Sequence, residues 1–210
     1  MKKTVLAVVA ALAFAVPAHA EHLYPRNACG ELEGADDFRM ALVTAVANRN
    51  ADMLEPLVHP QILLDFGGGA GWDELRARLK ATDYDLWAEL DEVTRLGCAV
   101  GYEDAIVMPY YWSQDLGFDD PFSTYVVMGG DVPLYSEPDE NARLIDRLGW
   151  ESIMVRMELE EPGQIYAPVR TRDGKEGFMK YEQIRSQIDY RLIAERREGR
   201  WVITTFVAGD

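Results

Sequence analysis

Few side chains in this sequence have the types and spacing needed for acid–base, nucleophilic or metal chemistry. Of the histidines, His22 lies near the N-terminus, where disorder is usual, and His59 precedes Pro60 at the expected end of a helix. No serine or cysteine nucleophile is marked beside His59, and the HExxH, CxxC and EF-hand spacings of metal sites do not occur. We therefore predict no metal site, no cofactor and no catalytic residue, and we favour a protein that is not an enzyme.

A run of glycines offers another kind of chemistry, the binding of an anion by backbone amides. Gly67-Gly68-Gly69-Ala70-Gly71 precedes an expected helix that begins at Trp72, and amides at such a start can hold a phosphate. No Lys followed by Ser or Thr completes a P-loop, and Asp73 and Glu74 already place acids in the first turn. A tight turn between a strand and a helix is the favoured interpretation.

Apolar residues at helical or alternating spacing indicate the elements that must position these groups. In the first half of the chain they predict helices over 37–48, 72–79 and 83–96, a short helix after Asn50, and strands over 61–66 and 105–112. The chain closes with a hairpin, because 190–196 and 200–207 alternate on either side of a Glu198-Gly199 turn. These patterns predict an α+β protein.

The N-terminus has the pattern of a secretory signal peptide. Lys2 and Lys3 form a basic start, 4–16 is a continuous apolar run, and 17–20 ends in an A-x-A pattern. The alternative, a membrane anchor, is disfavoured because the run is too short to span a bilayer comfortably. We expect cleavage after Ala20 and a periplasmic or secreted mature protein.

Net charge narrows the range of partners. The sequence contains 21 Lys and Arg against 36 Asp and Glu, which gives a formal net charge of −15. Nucleic acids and anionic membrane surfaces require clustered basic residues, so neither is expected as a partner. After the signal peptide, no stretch of the sequence is long and apolar enough to span a membrane.

Cys29 and Cys98 are the two cysteines of the sequence. In an oxidising compartment, a lone pair of cysteines separated by a long loop is more often bonded than free. We therefore predict a disulfide between them. The alternative is that Cys98, which lies in an apolar segment, is simply a small buried residue.

Residues 126–178 have the pattern of a small, strongly bent β-unit. Short apolar alternations are interrupted by a Ser136-Glu137-Pro138 loop, and a later hairpin reads Asp173-Gly174-Lys175-Glu176-Gly177-Phe178. Between them, Ile145 and Leu148 give an x-x-Ile-x-x-Leu strand. The spacing resembles that of the bacterial SH3-like (SH3b) module.

This resemblance implies a small SH3-like β-barrel over 124–187 and a ligand-binding surface made of aromatic side chains. The residues that it marks as facing a ligand are Tyr135, Trp150, Tyr166 and Phe178. SH3-like modules of secreted bacterial proteins often bind peptides or cell-wall stem peptides through such a groove. Aromatic residues also fill the cores of these barrels, so each of the four residues could belong to the core instead.

The rest of the chain is similar to NTF2-like domains. A His59-Pro60 pair runs into Asp65-Phe66-Gly67, and the chain closes with a Gly-Arg-Trp-x-Ile run over 199–203. The resemblance implies an NTF2-like cone, with helices on a curved antiparallel sheet, formed by 21–123 and completed by the hairpin over 188–210. The alternative is a small helical domain followed by an SH3-like domain that keeps the last hairpin.

NTF2-like enzymes place an Asp or a Tyr inside the cone, and the resemblance therefore marks an alternative pocket. Its residues are Asp65, Tyr110, Tyr111 and Trp112. Asp65 could act as a base only if burial raised its pKa. Otherwise Asp65 holds the glycine turn, and the aromatic residues belong to a core or an interface.

Three functions follow as hypotheses. The favoured one is a non-catalytic exported envelope protein whose SH3-like module binds a peptide, peptidoglycan or another exported protein. The second is a small-ligand carrier or enzyme that uses the NTF2-like pocket. The third is a structural subunit that forms a homodimer through the exposed sheet of the cone.

Overall fold

The computed structural model describes residues 22–159 and 163–209. In these residues the chain is a mixed α+β protein with four α-helices and two β-sheets, which confirms the predicted class. The helices are α1 (Ala35–Ala47), α2 (Ala51–Leu54), α3 (Trp72–Arg78) and α4 (Leu86–Arg95). None of the described helices is long and apolar enough to cross a membrane. The predicted signal peptide over 1–20 lies outside the described residues.

The first sheet combines strands from both ends of the chain. Its strands are β1 (Val58–Leu63), β2 (Ala99–Val100), β3 (Ile106–Met108), β11 (Arg191–Arg197) and β12 (Arg200–Val207). The order is β1-β12-β11-β3-β2, with β1 parallel to β12 and the other neighbours antiparallel, so the sheet is mixed and not the wholly antiparallel sheet that was expected. The terminal β11–β12 hairpin, predicted from its alternation, therefore lies between β1 and β3.

Two strand boundaries differ from those expected from the sequence. The strand predicted over 105–112 ends at Met108 because Pro109 has no amide hydrogen for the ladder, and Tyr110–Ser113 form a 3-10 turn. The strand predicted over 61–66 instead spans 58–63. It ends early because the carboxylate of Asp65 binds backbone amides of the glycine turn.

The helices pack against one face of the first sheet, and apolar side chains from the helices and the strands fill the space between them. Leu42 of α1, Leu90 of α4, Ile62 of β1, Ile106 of β3 and Phe206 of β12 belong to one buried cluster. Each is less than 2 % exposed, and full burial of such a side chain stabilises the fold by about 1.5–3 kcal/mol. Side chains therefore occupy the inside of this α+β unit.

The second sheet is formed by the middle of the chain. Its strands are β4 (Thr124–Val127), β5 (Val132–Tyr135), β6 (Leu144–Leu148), β7 (Ser152–Val155), β8 (Tyr166–Thr171), β9 (Glu176–Lys180) and β10 (Ile184–Ser186). All neighbours are antiparallel, in the order β10-β4-β7-β8-β9-β5-β6. The order has two ends, so in the described residues this sheet does not close into the barrel expected from the sequence. Its own core contains Leu134, Ile153, Val169 and Met179.

Residues 22–34, which precede α1, form an N-terminal arm that connects the two sheets. Its Leu23 is buried in a cluster with Leu96 and Val126, and its amide donates to the carbonyl of Trp150 at 2.6 Å. Further along the arm, Cys29 and Cys98 form the predicted disulfide, with an S–S distance of 1.98 Å. This covalent link is compatible with an exported protein.

Candidate functional site

Two strands of the second sheet, β5 and β9, present aromatic side chains on their outer face, and the aromatic residue of the neighbouring β8, Tyr166, is buried. Leu134, Val169 and Met179 of these strands point into the core of the sheet. Because side chains alternate along a strand, the neighbouring residues Tyr135 and Phe178 stand on the opposite face. Both rings are half-buried, so part of each ring remains in contact with solvent.

A row of side chains crosses this outer face. Tyr135 lies opposite Phe178, and Phe178 lies opposite Pro168 on the next strand. Tyr166 meets Tyr135 edge to face, with ring centroids 6.4 Å apart, a favoured geometry for aromatic pairs. Gly177 allows β9 to approach β5, because a Cβ there would lie 2.5 Å from the carbonyl oxygen of Tyr135.

A cavity of about 220 Å³ runs beside this row. Leu159, Pro168 and Phe178 give it apolar walls, and Arg156 and Glu176 form its polar rim. The Arg156 guanidinium lies 3.0 Å from a carboxylate oxygen of Glu176. We call the row and this cavity together the aromatic groove. The Arg156 guanidinium also pairs with Glu158 at 2.9 Å, and the second carboxylate oxygen of Glu176 pairs with Arg170 at 2.8 Å.

The segment that borders the groove exposes further apolar side chains. Met157, Leu159 and Ile165 are 48 %, 47 % and 69 % exposed, and Leu159 lines the cavity itself. Single exposed apolar residues are ordinary, but a set of them beside an aromatic strip is typical of a surface that contacts a partner. The groove therefore has apolar contact area both on the strands and on the adjoining segment.

Trp150 is placed away from the other three predicted aromatic residues. It packs against the cluster that contains Leu23 and Leu116, at the junction of the two sheets. Its carbonyl accepts from the Leu23 amide and its amide donates to the carbonyl of Gly129. The structure thus brings Tyr135, Tyr166 and Phe178 together and gives Trp150 a position where it holds the N-terminal arm.

Several groove residues were not identified from the sequence. Pro168 shares a face with Tyr166, and this could have been derived from alternation along β8. Arg156 and Leu159 could not have been found in this way, because they follow β7 and reach the groove only through the pairing of β7 with β8.

Asp65, the candidate base of the alternative pocket, is bound within the glycine turn. Its Oδ1 accepts from the amides of Gly67 and Gly69 at 2.9 and 2.8 Å, and its Oδ2 pairs with Arg78. The Arg78 hydrogen bond, together with the Gly69 amide, lowers the pKa of Asp65. A general base at neutral pH needs a raised pKa, so this environment keeps the carboxylate ionised in a structural position.

The aromatic residues of the alternative pocket each have an arginine partner. Arg26 of the N-terminal arm lies over the ring of Tyr110, at 4.6 Å from its centroid. Arg191 of β11 lies over the ring of Trp112 at 5.2 Å. Such cation–π contacts join the Tyr110–Ser113 turn to the arm and to the first sheet.

Tyr111 contacts an arginine from the second sheet. The guanidinium of Arg185, only 4 % exposed, donates to the Tyr111 hydroxyl at 3.0 Å. Carboxylate oxygens of Glu89, Glu92 and Asp189 lie 3.8, 3.5 and 3.6 Å from Arg185 nitrogens. Burial raises the pKa of Tyr111 to about 12, and burial also raises the pKa of Glu89. This cluster joins β10 to α4 and to the start of β11.

Metal binding by clustered donors is not supported in the part of the chain that the structure describes. It contains no group of three or more His, Cys, Asp or Glu side chains arranged to hold an ion. Structural and catalytic zinc sites need at least three such protein ligands. The polar groups near both candidate sites instead pair with one another.

Comparison of the chain with protein-family models, with curated proteins and with solved structures gives no match. The SH3-like and NTF2-like resemblances therefore remain expectations that rest on sequence pattern. The function of the aromatic groove is accordingly inferred from its own geometry.

Proposed function

We propose that this chain is a non-catalytic exported binding protein in which an SH3-like module, formed by the second sheet, holds an extended peptide segment. In this proposal the first sheet and its helices form an NTF2-like scaffold that carries the module. The ligand is a peptide, either a stem peptide of the cell wall or a segment of another exported protein.

The row formed by Tyr135, Phe178 and Pro168 is the observation that carries the proposal. It crosses three antiparallel strands; Pro168 is buried at one end, and the half-buried rings of Tyr135 and Phe178 can pack against side chains of an extended chain. Leu159 adds an apolar wall, and the Arg156 guanidinium on the rim, which uses Nε and Nη1 for Glu158 and Glu176, keeps further N–H donors for backbone carbonyls of a ligand. A groove with this composition binds by contact area and hydrogen bonds.

The chemistry of the groove supports binding rather than catalysis. Ser136 lines the cavity, but the carboxylate and the guanidinium that also line it are paired with each other, and no histidine is among the lining residues. At the second candidate site, Asp65 and each aromatic residue of the Tyr110–Ser113 turn contact an arginine, so these side chains already have partners within the protein. The two alternative functions, a carrier or enzyme that uses that pocket and a structural subunit that forms a dimer, remain predictions.

Export is supported by the buried disulfide and by the sequence pattern of the first 20 residues. Cys29 and Cys98 are both fully buried and bonded, which is typical of proteins that fold in an oxidising compartment. A peptide ligand of the cell wall or of another exported protein is available in that compartment.

The test is binding of the mature chain to purified sacculi and, by amide NMR, to a mixture of short synthetic peptides. We expect retention on one of these probes and shifts confined to β5, β8 and β9. The Tyr135→Ala/Tyr166→Ala pair should lose binding, and Leu159→Glu, at an exposed position that does not threaten folding, should lose it as well. A control pair, Tyr102→Ala/Phe122→Ala, removes exposed rings from outside the groove.

Two outcomes would overturn the proposal. The first is that neither sacculi nor peptides bind the wild-type protein. The second is that Leu159→Glu and the tyrosine pair bind as well as the control pair, because the contact would then lie elsewhere on the molecule.

A further inference from the structure

A second cavity lies on the first sheet. Its lining residues come from other parts of the chain than those that line the aromatic groove. It has a volume of about 420 Å³ and opens between the start of α1, the Glu55–Leu57 turn and the tip of the β11–β12 hairpin. Phe38, Leu57 and Trp201 give it an apolar wall, and Trp201 is only 9 % exposed. The cavity can hold an apolar body the size of an amino-acid side chain or larger.

Two of the charged groups that line this cavity are already paired. The Arg196 guanidinium lies 3.5 Å from the Glu33 carboxylate and 5.1 Å from the Trp201 ring centroid. The Trp201 indole nitrogen donates to the Glu33 carbonyl at 2.9 Å. These contacts hold the indole ring of Trp201 in a defined position and so fix one wall of the cavity.

The two remaining charged groups, Asp37 and Arg200, are opposite in sign and do not pair with each other. Among residues 22–159 and 163–209, neither side chain takes part in a hydrogen bond or ion pair, and both are exposed. Asp37 lies in the first turn of α1, where the helix dipole favours its negative charge. Arg200 begins β12, beside the hairpin turn. A ligand that matches this cavity therefore carries a cation, an anion and an apolar body.

We infer that this cavity binds a small zwitterion with an apolar body, a free apolar amino acid or a dipeptide. The ligand carboxylate pairs with Arg200, the α-ammonium group pairs with Asp37, and the apolar side chain packs on Trp201 and Phe38. This site is distinct from the aromatic groove and does not depend on the function proposed for it.

The experiment follows the indole N–H resonance of Trp201 in the mature protein during titration with L-phenylalanine and, separately, with the dipeptide Ala-Phe. We expect a saturable shift at millimolar concentration with at least one of them, and their relative affinities identify the favoured length. Arg200→Gln and Asp37→Asn should each weaken binding by up to about fivefold, the effect of one exposed ion pair. Arg197→Gln, in the same hairpin but outside this cavity, is the matched control.

Ligand analogues assign each contact. Phenylalaninamide lacks the carboxylate, so its affinity should be unchanged by Arg200→Gln, whereas N-acetylphenylalanine lacks the ammonium group and should be insensitive to Asp37→Asn. The inference is overturned if no zwitterion shifts the Trp201 indole, or if both analogues bind the wild type as tightly as L-phenylalanine.

Discussion

Replacement of both Cys29 and Cys98 by alanine removes the covalent tie between the N-terminal arm and the entry to β2. The two residues are separated by 69 positions in the chain. On the chain-entropy model, a cross-link that closes a loop of this length lowers the entropy of the unfolded chain enough to stabilise the fold by about 4 kcal/mol at 25 °C. We therefore expect the double variant to unfold with a free energy lower by about 4 kcal/mol.

The structure also predicts where the loss begins. The Ala28 amide donates to the Cys98 carbonyl at 2.9 Å, and the Leu23 amide donates to the Trp150 carbonyl at 2.6 Å. Without the disulfide, these bonds and the buried side chain of Leu23 hold the arm by themselves. Amide exchange at Leu23 and Ala28 should therefore accelerate more than exchange at core positions such as Ile153.

Equilibrium urea unfolding measures the total effect. The control is the wild-type protein unfolded with a reductant, which lacks the cross-link but keeps both sulfur atoms in the buried site. Reduced wild type and double variant should agree within about 1 kcal/mol, since the difference between them reports only the lost packing of two small side chains. A double variant as stable as the oxidised wild type would refute the reasoning from loop closure.

Three further predictions concern other contacts. The pKa of Asp146 is lowered, chiefly by the hydrogen bond that its carboxylate accepts from Lys175 at 2.6 Å. The stability that the ionised carboxylate adds to the fold is therefore complete above the ordinary carboxyl pKa and is lost as the pH falls through the lowered pKa. Asp146→Asn should therefore reduce the free energy of unfolding by at most about 1 kcal/mol near neutral pH and by nothing in strong acid, which urea titrations across pH would show. Arg185→Met leaves the buried Tyr111 hydroxyl without its donor, and it should lower the free energy of unfolding by about 3 kcal/mol in the same assay. Unchanged stability would mean that the cost of burying the Arg185 charge cancels the energy of its contacts. Gly97→Ala should destabilise by at least about 3 kcal/mol, because Gly97 has a φ of +78° and a Cβ would collide with the Arg26 backbone. Gly174→Ala, with a φ of +85° and no atom within 4 Å of the added Cβ, should cost only about 1 kcal/mol.

Local chemistry explains which elements were predictable from the sequence. The apolar stripe of Leu86, Leu90 and Val93 predicts α4 because these positions lie on one side of a helix. Alternation on either side of the Glu198-Gly199 turn predicts the β11–β12 hairpin, since both strands and their turn are contiguous in sequence. The Asp65 hydrogen bonds to the glycine turn are likewise local, between residues at most four positions apart.

Contacts between distant segments were not predictable in the same way. Nothing near Trp150 indicates that its carbonyl meets Leu23, more than a hundred residues earlier in the chain. Nothing in the sequence around Arg185 indicates its partners, but the packing of β10 against α4 buries its guanidinium among three carboxylates. The partners of such groups depend on how whole elements are oriented relative to one another, and residue patterns within one element do not contain that information.

The sequence by itself determined the α+β class, the positions of the long helices, the terminal hairpin and the pairing of the two cysteines. Each of these follows from periodicity, from turn chemistry or, for the cysteines, from their number, all of which can be taken from neighbouring residues or from composition. Only the tertiary structure decided that Tyr135, Phe178 and Pro168 form one row while Trp150 does not join it. It also decided that Asp37 and Arg200 line one cavity. These arrangements depend on strand register and on the packing of elements that are far apart in the chain, where burial of the whole core selects one arrangement among many that the local patterns allow.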